Sequence, residues 1–393
     1  MASDGFLSGP GLQNAVLNLV QATETGTLRA LHAVGLASDA NGQAAWPFVH
    51  RVAIETLAID ASLARQVAVT LACVVLALLL AVWGTARRRV RRIAWIAALA
   101  LVLLAPWPAR SLILVDAQAS SFHRSPTRFA ASSIVRGLAL YQSRCASCHG
   151  ADGNGEGPLA ASLPMWPPRL GGELLWHRTE GDLFGTIVSG RRDRQGTPTM
   201  PGFAGTLRDD EVWALIDAMK ALAAGSSIRG EGAWIEPVRA PEAWVQCGDG
   251  VPGRPLSAMR GDHVRIVADG GVAAPTADPR FETIVLQAPG ATQATPESRG
   301  CVIREPDAWA AYAEVSGADV DHFAGTQLIV DRDGWLRAYA APGKTAWSRS
   351  DLVCRSGAAP DASAGGRDGL TELVAAIDAD PVRSDALGVA HAP

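Results

Sequence analysis

Between Gln66 and Ala86 the chain runs 21 residues without a charge. As a helix that stretch covers about 30 Å at ~1.5 Å per residue, the thickness of a bilayer's hydrocarbon core. Arg87-Arg88-Arg89-Val90-Arg91-Arg92 follows, and then a second uncharged run, Ile93–Ala109, of 17 residues. Arg110 can snorkel, so Ser111–Val115 is expected to extend that second helix. Trp83, Trp95 and Trp107 fall near the expected interfaces. The reading is a two-helix transmembrane hairpin over residues 66–115. A buried helix pair in a soluble core is the competing reading, and five arginines between two uncharged runs argue against it. Short basic loops stay in the cytoplasm, so both ends of the hairpin face the opposite side of the membrane. The formal net charge of −4 carries no polyanion signal, and no nucleic-acid partner is expected.

Residues 1–65 lack the basic-then-apolar order of a signal peptide. Asn14–Val34 and Val52–Leu63 read as moderately amphipathic helices of unknown role. His32 and His50 are isolated and are expected to be packed or surface histidines. Cys73 sits inside the first apolar run as a small apolar residue. Residues 116–132 read as a short polar tether, with His123 near its centre.

Cys145-Ala146-Ser147-Cys148-His149 carries the chemistry. A bare pair of cysteines three apart is ambiguous among zinc, thiol exchange and chance. The histidine that follows at once makes it the signature of covalent haem attachment. On one helical turn the two thiols reach the two vinyl groups of one haem, and His149 points an imidazole nitrogen at the iron. Gly150-Ala-Asp-Gly153-Asn-Gly155-Glu-Gly157-Pro158 then forms a loop able to hug a haem edge.

The segment from Ser133 to Ala224 resembles class I cytochromes c, an all-α family. The resemblance rests on Gly137-Leu-Ala-Leu-Tyr141 before the cysteines, the Gly-rich loop after them, and Thr197-Pro-Thr-Met200-Pro-Gly-Phe203. It implies one covalent haem c with its iron, held by Cys145, Cys148 and His149. It implies Met200 as the second axial ligand, and the Pro158 carbonyl as partner of the second His149 nitrogen. Of the other methionines, Met1 starts the chain, Met219 lies within an expected helix over Asp209–Leu222, and Met259 lies far downstream. Met165 and His177 are weaker rivals for the distal position. Leu163–Leu170 is too proline-rich for a regular element and is expected to wrap the haem. Glu180–Ser189 reads as a short helix. Val212, Leu215, Ile216 and Met219 repeat at helical spacing and should pack on Gly137 and Tyr141. Arg191, Arg192 and Arg194 could meet haem propionates or an acidic partner, or form a solvated loop.

The expected cytochrome domain spans 133–226, and residues 227–245 read as a linker. Residues 246–382 weakly resemble a thioredoxin-like α/β domain. Its expected elements are strands at Val264–Ala268 and Phe281–Gln287, a helix at Pro306–Val315, a hairpin at Gln327–Tyr339 and a helix at Gly369–Ile377. The place of the family's CxxC holds Asp269–Pro279, without cysteine, so thiol exchange there is not expected. Cys247, Cys301 and Cys354 imply one disulfide and one spare thiol, the pairing left open. Soft thiols also suit Cu(I).

The fold class is thus multidomain: a membrane hairpin, a cytochrome c domain and a degenerate thioredoxin-like tail. The whole is similar to the C-terminal half of copper-resistance D-type membrane proteins fused to cytochrome c. The cysteine-histidine motif, the methionine loop and the membrane hairpin together point to a monohaem electron carrier, not an enzyme, in the inner membrane. Its haem and tail would be on the periplasmic side, exchanging electrons with a redox-protein donor and acceptor. The alternatives are a haem-containing accessory module for copper handling or a membrane redox complex, and a tail that docks a dehydrogenase.

Overall fold

The computed structural model describes residues 10–171, 176, 178–248, 251–269, 278–290, 300–344, 346–348, 351–354, 369–384 and 390–391. They form two compact units. One comprises the described residues of Met1–His123 and His177–Asp182, the other those of Arg124–Trp176 and Leu183–Ser384.

In the first unit, α1 (Pro10–Ala33) contributes Leu17 and Leu28 to an apolar cluster with Ile54 and Leu57 of α2 (Ile54–Ile59). Gln13 donates to the Leu57 and Ala58 carbonyls at 2.8 and 2.6 Å, satisfying the open end of α2. Between the two helices lie a small hairpin, β1 (Asp39–Ala40) and β2 (Gln43–Ala44), and then β3 (His50–Val52). Asn41 and Gly42 turn the hairpin with φ of 54° and 75°, the left-handed pair that such a tight turn needs.

Asp60 caps α3 (Ala61–Ala86), accepting the Ser62 and Leu63 N–H groups at 2.9 and 3.1 Å. The helix has 26 residues, so it is about 39 Å long. Thr70, Ala77 and Gly84, seven residues apart, are buried on α3, and Ala94 and Ala98 are buried on α4 (Arg91–Leu104). A Cβ at Gly84 would lie 2.8 Å from the Ala94 Cβ. Small residues at this crossing let the two backbones approach.

The second span departs from expectation. The helix α4 has 14 residues, about 21 Å, and stops at Leu104. Pro106 and Pro108 cannot continue a helix, since each lacks an N–H and crowds the preceding turn. Arg110–Ile113 makes one further turn, α5, and Leu114–Asp116 is extended as β4. This strand pairs antiparallel with β3, His50 opposite Asp116. Ser111–Val115 therefore does not lengthen α4. Among the described residues, α3 alone is long and apolar enough to cross a membrane.

The expected tether also folds in part. Ser120, Ser121, Phe122 and His123 are buried, with Phe122 against Trp46 at 4.5 Å between ring centres. Ser120 donates to the Gly181 carbonyl at 2.7 Å, and Thr179 donates to the Ser121 carbonyl at 2.7 Å. Beside them Arg51 is buried between two carboxylates. It donates to Glu55 at 2.9 and 3.0 Å and to Asp182, which also accepts from Ser121 at 2.5 Å.

In the second unit α6 (Ala131–Arg144) crosses a long helix introduced below at Gly137, and α7 (Ala146–His149) follows it after one residue. Then come α8 (Glu180–Ser189), which belongs to this unit from Leu183 on, a short hairpin of β5 (Arg191–Arg192) and β6 (Pro198–Met200), and α9 (Asp209–Glu231). A Cβ at Gly137 would sit 1.9 Å from the Ala214 carbonyl oxygen, so only glycine permits this crossing. As expected, Tyr141 packs with Val212, Leu215 and Ile216 in one core cluster.

The helix α9 runs nine residues past the expected Leu222, and it is apolar on more than one face. Ala221 and Ala224 belong to a second core, shared with Trp309 and Tyr312 of α10 (Pro306–Val315). Gly225 lies inside this helix. A Cβ there would meet the Glu314 carbonyl oxygen at 2.1 Å, so its role is close helix approach. Gly232, at φ 70°, ends the helix in the left-handed conformation. Residues 233–243, expected as linker, are held down. The Trp234 indole donates to the Val315 carbonyl at 2.8 Å, and Val238, Ala240 and Ala243 are buried.

The remaining strands form one seven-stranded sheet. In chain order they are β7 (Trp244–Cys247), β8 (Arg254–Pro255), β9 (Val264–Ala268), β10 (Glu282–Leu286), β11 (Cys301–Ile303), β12 (Gln327–Val330) and β13 (Leu336–Ala340). The spatial order is β13-β12-β9-β10-β11-β7-β8. The strands β9, β10 and β11 run parallel, and β12 and β7 flank them antiparallel. Ile266, Ile284 and Leu328 pack on the α10 side, whereas Ile329 and Ala338 pack with Leu373 and Ile377 of α11 (Gly369–Ala379). The side chain of Asp331 shapes the β12–β13 turn by accepting the Asp333 and Trp335 N–H groups. The centre of the cysteine-free stretch Asp269–Pro279 lies outside the described residues.

Candidate functional site

The site is built at the junction of α6 and α7. The Cys145 N–H still donates to the Tyr141 carbonyl at 2.8 Å, and the next turn restarts on the Cys145 carbonyl. That carbonyl accepts from Cys148 and His149 at 3.1 and 2.9 Å. Cys145, Cys148 and His149 thus lie on a single turn, with both thiols unbridged. Gly150, at φ 82°, ends it, and its carbonyl accepts the Tyr141 hydroxyl at 2.8 Å.

The glycine loop folds back over this turn. Gly155 donates to the His149 carbonyl at 2.8 Å, Gly157 to Cys148 at 3.1 Å and Leu159 to Ser147 at 2.9 Å. A Cβ on Gly157 would meet the Ser147 oxygen at 2.5 Å, and one on Gly155 the Pro167 oxygen at 2.4 Å. The proline-rich stretch is therefore stacked against the loop, and Leu170 is anchored by its N–H to the Gly153 carbonyl at 2.8 Å.

Met200 enters from the β5–β6 hairpin, where it pairs with Arg191. Asp193 shapes the turn by accepting the Gln195 and Thr197 N–H groups at 2.9 and 2.8 Å. Gly190 and Gly202 bring the hairpin onto the end of α8: a Cβ on either would lie within 2.5–2.8 Å of the other segment's backbone. Phe203 and Ala204 complete the junction, donating to the Ile187 and Val188 carbonyls at 3.0 Å each. Met200 and Cys145 both pack against the cluster of Tyr141, Leu183, Phe184, Ile216 and Trp213. Met219 touches the same cluster from within α9, Met259 is buried in the other core, and Met165 is 56% exposed. His177 lies outside the described residues.

The electrostatics are those of a desolvated site. Burial, with a smaller contribution from Cys148, pushes the Cys145 thiol up to about 11. Burial also pulls the His149 imidazole below its ordinary value, opposed by the backbone of Pro168. Its Nδ1 is buried and makes no hydrogen bond of ordinary geometry. The carbonyl set to favour a proton on this ring is thus Pro168, not the expected Pro158. The glycine loop places Pro167 and Pro168 over the turn, a path that linear spacing does not reveal. Leu170 and the Phe184–Trp213 pair, 4.6 Å between ring centres, complete the apolar wall. Trp213 escapes a helical-stripe reading because it adjoins Val212 rather than following the repeat.

A haem fits these residues on two observations. Gly155 and Gly157 let the loop and the proline stretch close directly onto the CxxCH turn, and the buried Nδ1 of His149 makes no hydrogen bond there. The donor set of two thiols, an imidazole and a thioether suits iron porphyrin.

Residues 132–217 match the family model of cytochrome C oxidase, cbb3-type, subunit III. The chain is also similar to a chain of the reducing HAO-like protein complex of Kuenenia stuttgartiensis, at 26% identity over 32% of this chain. That match spans 59% of the solved chain at a TM-score of 0.22, so no shared architecture follows from it. No curated protein matches significantly. The match supports a cytochrome c domain over residues 132–217, which suggests haem c with iron, electron transfer and redox-protein partners.

Proposed function

We propose that the chain is a membrane-anchored, single-haem c-type cytochrome that carries electrons between two redox proteins. One observation carries the reading: the CxxCH turn, the glycine cradle and the methionine hairpin converge on one apolar cluster. Cys145 and Cys148 would hold the haem through thioethers, and His149 and Met200 would be its axial ligands. When bound, the group supplies one-electron transfer between ferrous and ferric iron.

The chain's own residues set the conditions. The apolar wall of Phe184, Trp213 and Ile216 excludes water. The Pro168 carbonyl would orient the His149 ring and strengthen it as a ligand once Nδ1 donates to it. With an imidazole from His149 and a thioether from Met200 both available to hold the iron, the site would favour electron transfer over chemistry on a bound substrate. The helix α3 anchors the chain. The arginines at 87–92 stay in the cytoplasm, which puts the haem on the periplasmic face.

Copper handling is less well supported. Of the three thiols it would draw on, Cys247 and Cys301 are joined in a disulfide and Cys354 is buried. The test is the absorption spectrum of purified protein and of Met200→Ala. The wild type is expected to show a six-coordinate spectrum with a methionine signature that the variant loses. An unchanged variant spectrum removes Met200 from the site, and a protein without iron removes the reading.

A further inference from the structure

Away from the CxxCH turn, the second unit holds a cleft rimmed by three arginines. Arg128 stands just before α6, Arg239 before β7 and Arg260 before β9. The cleft is shallow, with a cavity volume of about 40 Å³, and opens to solvent. Its floor is apolar, with Leu256, Met259 and Val330 all buried.

Two carboxylates also line it, and both already have work. Glu242 accepts the Ser257 N–H at 3.0 Å. Asp331 accepts two N–H groups of its turn and pairs with the buried Arg337 at 3.2 Å. The Arg239 guanidinium lies over the Trp335 ring, 4.0 Å from its centre, and donates to the Asp333 carbonyl at 3.5 Å. The side chains of Arg128 and Arg260 make no ion pair or hydrogen bond among the described residues. The three arginines thus outnumber the two carboxylates of the cleft, and among the described residues neither Arg128 nor Arg260 has an ion-pair partner.

The backbone supports the same point. Arg128 and Phe129 have φ of 57° and 59°, left-handed conformations that are uncommon for side-chain-bearing residues. The turn is pinned, because the Glu242 backbone N–H donates to the Phe129 carbonyl at 3.0 Å and the Glu242 backbone carbonyl accepts the Ala131 N–H at 2.9 Å. Glycine would relieve position 128, yet the chain keeps a guanidinium there. Strain of this kind persists where the surrounding structure over-determines it, often at ligand clamps.

We propose that this cleft binds a small free oxyanion, gripped by Arg128 and Arg260 with Arg239 as the fixed third cation. Guanidinium forks suit phosphate, sulfate and carboxylate alike. The test uses the full-length, haem-loaded protein in neutral detergent, at constant ionic strength set with sodium chloride. Inorganic phosphate, sulfate and succinate are titrated separately by calorimetry.

At least one is expected to bind saturably at one per chain, and the tightest identifies a tetrahedral or a planar ligand. Arg128→Gly and Arg260→Ala should each weaken that binding by ~10-fold or more, the loss of one charge-assisted contact. Both side chains are exposed, and Arg128→Gly relieves its turn. The melting temperature of that variant should therefore hold or rise while its affinity falls. The proposal is overturned if no anion saturates below ~10 mM, or if the two variants bind as the wild type does. Binding confined to anionic lipid vesicles or to an acidic protein also overturns it.

Discussion

Gly137 lies so close beneath the carbonyl of Ala214 that a Cβ would sit 1.9 Å from its oxygen. The atom it would strike is backbone, so no rotamer change can make room. Gly137→Ala should force α6 and α9 apart and cost about 3 kcal/mol or more, at the upper end for overpacking. Denaturant unfolding measures the loss. Haem content should fall with it, because Tyr141 and Cys145 ride on the same helix.

Arg51 is buried with Glu55 and Asp182, so removing it leaves two carboxylates without their cation. Arg51→Met is expected to destabilise the first unit by ~3–5 kcal/mol. Limited proteolysis between residues 30 and 60, compared with the wild type, reports it. Equal resistance would show that the pair contributes little.

Glu24 accepts the Val52 N–H at 2.7 Å, yet burial raises its carboxyl above the ordinary value. A raised carboxyl means that the folded state binds the proton more tightly. This group's stabilising contribution is present below the unfolded pKa of about 4.5 and is lost as pH rises through the folded value. Glu24→Gln keeps an acceptor for Val52 and removes that pH dependence. Its stability relative to the wild type should therefore be higher at pH 7 than at pH 4.5, in paired urea titrations.

The Cys247–Cys301 disulfide joins directly opposed residues of β7 and β11 across 54 residues of sequence. Closing a loop of that length restrains the unfolded chain by up to about 4 kcal/mol. Replacing both with alanine should lower the urea midpoint by a matching amount. Dithiothreitol should lower it in the wild type and leave the double variant unmoved.

Much of this molecule was legible in the sequence where a feature is local. The cysteine-histidine turn, the methionine loop, the Val212–Met219 stripe and the β12–β13 hairpin each follow from residues close together in the chain. What was not legible depends on long-range contacts. Gly225 and residues 233–243 have the composition of a linker, yet Glu314 and Val315, some eighty residues on, make them part of a core. Cys247 and Cys301 lie on strands of four and three residues, too short to show alternation, so their pairing had no local signal. Leu114 and Val115 read as the end of an apolar helix until β3 offers them a partner. The choice of Pro168 over Pro158 depends on the path of the glycine loop.

The most direct test is peroxidase staining after denaturing electrophoresis, on protein made in cells competent for cytochrome maturation. The wild type should carry a stain that survives denaturation at the mass of the full chain, and Cys145→Ser with Cys148→Ser should carry none. A colourless wild-type band, or a stain that persists in the double variant, would contradict covalent haem on this turn.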